Sequence, residues 1–155
     1  MSAVLKPESA RCRPMVEADL RRVVEVEGAA YEFPWSQGIF QDCLRVGYCC
    51  WVMELDRRII GHGVMTVGAG ECHILNLCIH PDWQQMGFGS ALLDQLLDVA
   101  RTHRADTAFL EVRPSNGIAK HLYFNAGFDE VGMRRDYYPA QRGREDAIIM
   151  ARNLI

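Results

Sequence analysis

Apolar and polar positions along the first third of the chain predict a short strand followed by two helices. Residues 9–15 form the predicted strand, and apolar residues then recur at helical spacing from Val16 onward. We expect this helix to end near Tyr31, because the proline that soon follows cannot continue it. Ser36 is typical of an N-cap, which predicts a second helix through Leu44.

The aromatic loop between these helices, Phe33-Pro34-Trp35, has two interpretations. Exposed aromatic side chains between two short helices suit the wall of a substrate pocket. Alternatively, Phe33 and Trp35 fill the edge of the hydrophobic core. The pattern of residues leaves both interpretations open.

Three strands come next and are joined by tight turns. Runs of strand character cover residues 48–55, 58–67 and 72–79. The dipeptide Asp56-Arg57 suits a hairpin turn between the first two strands, and a glycine-rich stretch supplies the second turn. The three strands are therefore expected to form an antiparallel meander.

The second half of the chain alternates between helices and strands. A helix over residues 87–103 leads into a strand over 106–112. Because this strand is reached through a helix, it is expected to lie parallel to the preceding strand. Ser115 is expected to cap a fourth helix that runs through Tyr123.

The sum of these elements predicts the fold class. Two more strands, over residues 128–133 and 146–153, complete the chain. We therefore predict an α/β fold with a mixed, mostly antiparallel sheet of about seven strands and one parallel central strand pair. About four helices flank the sheet on both faces, and residues 1–155 form a single domain.

The overall composition narrows the class of protein. With 49% apolar and 24% charged residues, the chain has the composition of a globular protein and not of a disordered one. A net charge of −3 gives no sign of electrostatic binding to nucleic acid. The first twelve residues lack the apolar segment of a secretory leader, and no apolar run has the length of a membrane span. We expect a cytoplasmic enzyme with reduced cysteines, no direct nucleic-acid binding and no membrane association.

Histidines and cysteines near the 72–79 strand raise the question of a metal site. Side chains alternate between the two faces of a strand, so His73 is expected to point away from Cys72, Cys78 and His80. We therefore predict no metal site. The other histidines are assigned to the surface or to satisfied core positions: His62, His103 and His121.

A glycine-punctuated loop follows the 72–79 strand and opens the next helix. Gly87 and Gly89 leave the backbone N–H groups of the first helical turn approachable, and these groups suit a pyrophosphate. No lysine follows the glycines, which excludes a Walker loop, and Leu92 stands where a dinucleotide fingerprint needs a third glycine. The alternative is an ordinary glycine turn before an amphipathic helix.

A second polar group lies at the end of the 106–112 strand. Glu111 sits among apolar neighbours, where a carboxylate is unfavourable unless it is paired or used in chemistry. Asn116 and Tyr123 lie two turns apart and project from one face of the next helix. A base, an amide and a phenol are thus expected beside the glycine loop. The alternative for Glu111 is a structural carboxylate that caps neighbouring backbone.

In combination, these motifs resemble the GCN5-related N-acetyltransferase (GNAT) superfamily over essentially the whole chain. Within it, the match is close to the RimI-type ribosomal-protein-alanine N-acetyltransferases. The segments that carry the resemblance are Phe33-Pro34-Trp35-Ser36, Gln84-x-x-Gly87-x-Gly89, Leu110-Glu111-Val112-Arg113-x-Ser115-Asn116, Leu122-Tyr123, Gly127-Phe128, Arg135-x-Tyr137-Tyr138-Pro139 and Gly143-Arg144-Glu145-Asp146-Ala147-Ile148-Ile149-Met150.

The resemblance implies that acetyl-CoA lies in a V-shaped opening between the two splayed parallel strands. Backbone groups of Leu77, Cys78 and Ile79 would hold the pantetheine arm, with Asn116 on its other side. The residues implied to bind the cofactor at the glycine loop are Gln84, Gln85, Met86, Gly87, Phe88, Gly89 and Ser90, with the amides of residues 85–90 taking the pyrophosphate. A basic residue is common in the family at the position of Gln85, so this departure implies weaker cofactor binding.

The resemblance also implies direct attack by the acceptor amine. Glu111 would be the general base, directly or through water, and Tyr123 would protonate the departing CoA thiolate. The alternative is a ping-pong route through an acetylated Cys78, which ranks lower because no histidine is evidently arranged to activate the thiol.

The implied acceptor is the N-terminal alanine of a small-subunit ribosomal protein, and the enzyme is expected to be a monomer. Two loops would form the entrance, with both tyrosines in a turn between the last two strands. The implied substrate-binding residues are Glu32, Phe33, Pro34, Trp35, Tyr137 and Tyr138. Alternatives are transfer to lysine side chains or small amines, or a non-catalytic acyl-CoA-binding module; for Tyr137, packing on the sheet is the alternative.

Overall fold

The computed structural model describes residues 9–155, which form seven strands and four α-helices. In chain order these are β1 (Arg11–Pro14), α1 (Leu20–Ala30), α2 (Gln37–Arg45), β2 (Cys49–Leu55), β3 (Arg58–Gly68), β4 (Glu71–Ile79), α3 (Phe88–Thr102), β5 (Thr107–Val112), α4 (Gly117–Asn125), β6 (Asp129–Pro139) and β7 (Arg144–Asn153). Short 3-10 turns over residues 17–19 and 81–83 precede α1 and α3. The absence of a leader in the first twelve residues concerns a stretch whose first eight residues lie outside the described part.

All seven strands form one sheet in the order β1-β2-β3-β4-β5-β7-β6. Every neighbouring pair is antiparallel except β4 and β5, which are parallel. The parallel pairing covers Glu71–Ile74 opposite Thr107–Leu110, and β4 then continues unpaired on that side to Ile79. The predicted fold class is confirmed, including the splayed parallel pair at the centre of the sheet.

Helices cover both faces of the sheet, as predicted. On one face, Leu93 and Leu96 of α3 belong to the same buried cluster as Ile74 of β4 and Leu110 of β5. On the other face, α1 and α2 bury a second cluster: Val23, Val26, Phe40, Val52 and Val64. On this face α1 packs against β3 and β4, next to the β4–β5 opening.

A β-bulge at Leu75 changes which way the second half of β4 faces. Met65 of β3 pairs with Ile74, whereas the adjacent Val64 pairs with Asn76, so Leu75 is the extra residue. After the bulge, Asn76 and Cys78 bond to α1 on the face that His73 also occupies. The prediction that His73 points away from Cys78 is therefore wrong, because strict alternation ignores the inserted residue.

Three local predictions also need correction. The α1 helix begins at Leu20, four residues later than predicted, because residues 17–19 form the 3-10 turn. The N-cap of α4 is Asn116, whose Oδ1 accepts the Ala119 N–H at 3.1 Å, while Ser115 bonds to Glu145.

The third correction concerns the last hairpin. Strand β6 runs to Pro139, so Tyr137 and Tyr138 lie in a strand and not in a turn. Its pairing with β7 is interrupted between Arg134 and Tyr138, where Asp136 adopts a left-handed conformation at φ 52°. Because the pairing is irregular here, the alternation of apolar and polar residues does not predict the strand. Among the helices of the described residues, none is long and apolar enough to cross a membrane.

Candidate active site

Two cavities meet where β4 and β5 diverge. One, of about 450 Å³, is lined by Glu111 and the aromatic loop, and we call it the acceptor cavity. The other, of about 800 Å³, is lined by the glycine loop and α4, and we call it the cofactor cavity. Tyr31, Asn116 and Tyr123 line both cavities, so a molecule in one can reach a molecule in the other at these side chains.

The glycine loop forms one end of the cofactor cavity. Gly87 is the N-cap of α3 and has a φ of 89°, a left-handed conformation that favours glycine. The first bond after it joins Ala91 N to Gly87 O at 3.1 Å, so the preceding N–H groups of the first turn lack helical acceptors. A Cβ on Gly89 would lie 2.8 Å from Leu122 Cδ1, so α3 and the Leu122 side chain of α4 approach closely here. The resulting group of N–H donors fits a phosphate.

Most of the predicted cofactor residues line the cofactor cavity, but three do not. The residues along its wall include Leu77, Ile79, Gln84, Gln85, Gly87, Gly89, Ser90 and Asn116. The side chains of Cys78 and Phe88 are instead buried in the core, and Met86 is exposed outside the cavity. Gln84 has a supporting contact, because its Nε2 donates to Ile79 O at 2.8 Å.

Tyr31 is a residue of this site that sequence analysis did not identify. It is the C-cap of α1, and its hydroxyl donates a hydrogen bond to Leu77 O on the unpaired stretch of β4. Burial raises the pKa of this phenol well above its ordinary value, so it remains a donor. Its only sequence signal was its place at the end of the helix before the aromatic loop.

Glu111 is held at the floor of the acceptor cavity by two partners. Its Oε2 lies 2.6 Å from His73 Nε2 on β4, and its Oε1 lies 3.3 Å from Arg134 Nε on β6. The side chain is only 8% exposed. Neither partner was predicted, because both arrive through strand pairing from distant parts of the chain.

Tyr123 projects from α4 into the junction of the two cavities. Burial raises its pKa above the ordinary phenol value, and Tyr138 and Cys78 add to this shift. The phenol is therefore protonated throughout the neutral range and can serve as a proton donor. Burial likewise raises the pKa of Tyr138, on the opposite wall.

The entrance of the acceptor cavity is an aromatic cluster around Arg113. The Arg113 guanidinium lies 4.4 Å from the Tyr138 ring centre and 5.4 Å from that of Phe33, and it pairs with Glu145 at 3.1 Å. Glu32 accepts a hydrogen bond from Gln141 at 2.6 Å, which joins the two loops across the entrance.

Four of the six predicted substrate residues line this cavity: Glu32, Phe33, Trp35 and Tyr138. Trp35 also packs against Phe40 of α2, with ring centres 5.4 Å apart, so it serves both core and cavity. Pro34 and Tyr137 do not line the cavity, and the Tyr137 ring is exposed beside Tyr138 and Arg134.

A second buried carboxylate, Glu27, also lines the acceptor cavity. It accepts hydrogen bonds from the backbone N–H of Trp35 at 3.0 Å, from His62 Nε2 at 2.9 Å, and from Asn76 Nδ2 at 3.1 and 3.2 Å. His62 is fully buried and packs edge-on against the Phe40 ring, and its Nδ1 has no partner among the described residues. The core placement predicted for His62 is correct, but only one ring nitrogen is satisfied.

Cys78 lies beside this network and away from both cavities. The possible metal-ligand atoms of Glu27, His62 and Cys78 are a carboxylate oxygen, a ring nitrogen and Sγ. These atoms lie within 4.8 Å of one another, and all three residues are buried. Burial raises the pKa of the Cys78 thiol, and its Sγ contacts Val26 O of α1. A thiol that is buried against α1 and kept protonated gives no support to the ping-pong alternative.

Comparison with known proteins identifies the family of this chain. Residues 15–128 match the family model of the acetyltransferase (GNAT) family. The chain is 38% identical over 133 residues to the [ribosomal protein bS18]-alanine N-acetyltransferase of Escherichia coli strain K12, covering 86% of this chain and 90% of that protein.

Two solved structures share the fold. The crystal structure of the ribosomal-protein-S18-alanine N-acetyltransferase from Escherichia coli has a TM-score of 0.87 and 34% identity, over 94% of each chain. The structure of yncA from Salmonella typhimurium with its cofactor acetyl-CoA has a TM-score of 0.77 at 18% identity, over 94% of each chain, and shows the fold alone. The chain belongs to the acetyltransferase (GNAT) family.

Proposed function

We propose that this protein transfers an acetyl group from acetyl-CoA to the N-terminal alanine of ribosomal protein bS18. The observation that carries the proposal is the meeting of the cofactor and acceptor cavities at Tyr123, with Glu111 on the floor of the second. The substrate named for the Escherichia coli relative supports the choice of acceptor.

Acetyl-CoA binds in the cofactor cavity. The free N–H groups at the start of α3 bind its pyrophosphate, with the positive end of the helix dipole behind them. The pantetheine arm lies along the unpaired stretch of β4, where Leu77 and Ile79 face it, and Asn116 and Tyr123 border it on the α4 side. This placement brings the thioester to the junction of the cavities.

Glu111 and Tyr123 each carry out one of the two proton transfers. Glu111 takes a proton from the acceptor ammonium, directly or through water, and the freed amine lone pair forms a bond to the thioester carbonyl carbon. As the carbon–sulfur bond breaks, the Tyr123 hydroxyl gives its proton to the thiolate. Both substrates are held together, so proximity supplies much of the rate and no covalent enzyme intermediate is needed.

The entrance favours an extended N-terminus over a bulky or branched substrate. Phe33 and Tyr138 are held on either side of Arg113, and the Glu32–Gln141 bond spans the opening. An α-amine at the chain end can pass this opening to reach Glu111. We further propose that residues 1–155 form one domain and act in the cytoplasm as a monomer. The mass in solution measures the oligomeric state directly.

Acetyl transfer to short peptides tests the function. The set contains a peptide with a free N-terminal alanine, the same peptide N-blocked with an internal lysine, and a panel of small amines including polyamines. We expect transfer to the free alanine peptide alone, with one acetyl group added at the α-amine by mass spectrometry. Preference for lysine or small amines would overturn the acceptor assignment, and acetyl-CoA binding without transfer to any acceptor, including whole bS18, would indicate a binding module.

A further inference from the structure

His73 makes the shortest side-chain contact to the proposed base. Its Nε2 lies 2.6 Å from Glu111 Oε2, compared with 3.3 Å from Arg134 to the other carboxylate oxygen. At 2.6 Å a hydrogen must lie between the two atoms, because two bare lone pairs would repel. With Glu111 ionised as the base requires, the neutral imidazole carries its hydrogen on Nε2 and donates it to the carboxylate.

The other ring nitrogen of His73 is available to solvent. The side chain is 34% exposed, and within residues 9–155 its Nδ1 has no hydrogen-bond partner. The ring is therefore held through Nε2 alone, so its contact to Glu111 depends on which ring nitrogen carries the hydrogen.

Few charged groups surround His73 on the neighbouring strands. On β5 it faces Glu111, and on β6 Arg134 reaches the same carboxylate. Its register partners are uncharged: Thr66 on β3 and Phe109 on β5. Among these neighbours, the imidazole therefore interacts mainly with Glu111.

We propose that His73 is a positioning residue for the acetyl transfer, whose neutral imidazole holds the Glu111 carboxylate ready to accept the proton of the acceptor amine. The proposal rests on the proposed role of Glu111. The Nε2–H donor fixes the orientation of the Glu111 carboxylate in the acceptor cavity, so its loss lowers turnover without changing the binding of acetyl-CoA.

Two substitutions of His73 separate its hydrogen bond from its bulk. His73→Gln retains an N–H donor near the position of Nε2, whereas His73→Leu keeps an apolar side chain without a donor. His103→Gln, at an exposed histidine after α3, is the matched control. All are assayed with the free alanine peptide from pH 6 to pH 9, so the titration of the acceptor amine is common to every protein.

We expect His73→Leu to lower kcat about tenfold at every pH, as for loss of one hydrogen bond to a charged group, with the KM for acetyl-CoA unchanged. His73→Gln should retain most of the activity, because its side-chain amide supplies an N–H donor to Glu111. A purely structural role would give no such recovery of kcat with glutamine at an unchanged KM for acetyl-CoA. His103→Gln should behave as the wild type.

The imidazole tautomer gives a measurement that needs no variant of His73. Nitrogen-15 chemical shifts of the wild-type ring at pH 8 should show the hydrogen on Nε2. A ring with its hydrogen on Nδ1 would overturn the proposal, as would wild-type kcat and pH profiles in both His73 variants. If Glu111→Gln retains full activity, the proposed base itself is wrong; if that variant is impaired while both His73 variants are not, only the role of His73 is wrong.

Discussion

Glu27 and Glu111 lie on the same side of the sheet, line the same cavity, and each bonds to a histidine, yet their surroundings differ. Glu27 is 2% exposed, and its three donors come from β3, β4 and the aromatic loop. Its histidine, His62, is completely buried. Glu111 has one histidine and one arginine as partners, and its histidine, His73, is one-third exposed.

The two carboxylates differ in their access to solvent, which bears on the choice of base. A base must return its proton to solvent after each turnover, and the network around Glu111 reaches solvent through His73 and Arg134, whose side chain is 54% exposed. The donors to Glu27 are all enclosed, and they join α1 to the loop that carries Trp35. We therefore propose Glu111 as the base, and we propose that Glu27 fixes the position of the acceptor entrance.

The Glu111→Gln substitution tests the different roles of the two carboxylates and has the largest expected effect. The amide keeps the shape of the side chain but cannot take the acceptor proton, so we expect kcat to fall about 10³-fold. The affinity for acetyl-CoA should stay within about twofold, because Glu111 does not line the cofactor cavity. Steady-state kinetics and calorimetry measure the two quantities, with Glu130→Gln on exposed β6 as the control. A kcat within threefold of the wild type would remove Glu111 from the mechanism.

Tyr123→Phe tests the other proton transfer. Without the phenol, the CoA thiolate leaves unprotonated, so we expect kcat to fall about 10²-fold with little change in acetyl-CoA affinity. Because burial raises the pKa of Tyr123, the wild type should show no loss of activity from this group between pH 7 and pH 9. Tyr48→Phe, at an exposed tyrosine before β2, is the control. Equal turnover of Tyr123→Phe and wild type would show that water or another group protonates the thiolate.

Glu27→Gln should affect stability more than chemistry. In Glu27→Gln an NH2 group replaces one carboxylate oxygen and faces the N–H groups of Trp35, His62 or Asn76. At least one buried N–H group then has no acceptor. We expect a loss of about 3 kcal/mol in the free energy of unfolding. The KM for the peptide should rise because the loop at Trp35 loosens. Urea denaturation measures the first effect.

The control for this change lies on the same helix. Glu25 is exposed and pairs with Arg22 at the surface, so Glu25→Gln should change stability by less than about 0.5 kcal/mol. If Glu27→Gln is as stable as Glu25→Gln but loses turnover, the assignment of the two carboxylates would have to be reversed.

Sequence reasoning identified the parts of this protein that depend on local pattern. The strands, helices and glycine loop follow from periodicity and from residues next to one another, and Glu111 stood out as a charge in an apolar strand. The bulge at Leu75 could not be foreseen, because an inserted residue has no apolar signature of its own. It determines the side of the sheet on which Asn76 and Cys78 lie.

The contacts that distinguish Glu27 from Glu111 could not be predicted from the sequence either. Glu27 bonds to residues 35 and 49 positions away along the chain, and His73 meets Glu111 across 38 positions. Such pairs depend on strand register and helix placement, which one sequence does not specify. The loop Phe33-Pro34-Trp35 shows the same limit, because Trp35 turned out to serve both interpretations.

The smallest expected effect concerns the cofactor side of the site. Gln85 is exposed, adopts a left-handed φ of 60°, and lines the cofactor cavity beside the free N–H groups. Gln85→Arg adds a cation near the pyrophosphate, and a solvent-exposed ion pair of this kind should raise acetyl-CoA affinity about two- to fivefold.

Salt dependence distinguishes this mechanism from a change in loop shape. The gain should shrink in about 0.5 M salt, because screening weakens exposed ion pairs, and kcat should be unchanged. Gln37→Arg on α2 adds the same charge at a position that lines neither cavity, and it should not alter affinity. Calorimetric titration with acetyl-CoA at low and high salt decides the point. An equal gain at both salt concentrations would mean that the Gln85→Arg substitution acts by loop conformation, and no gain would mean that the backbone N–H groups alone set the affinity.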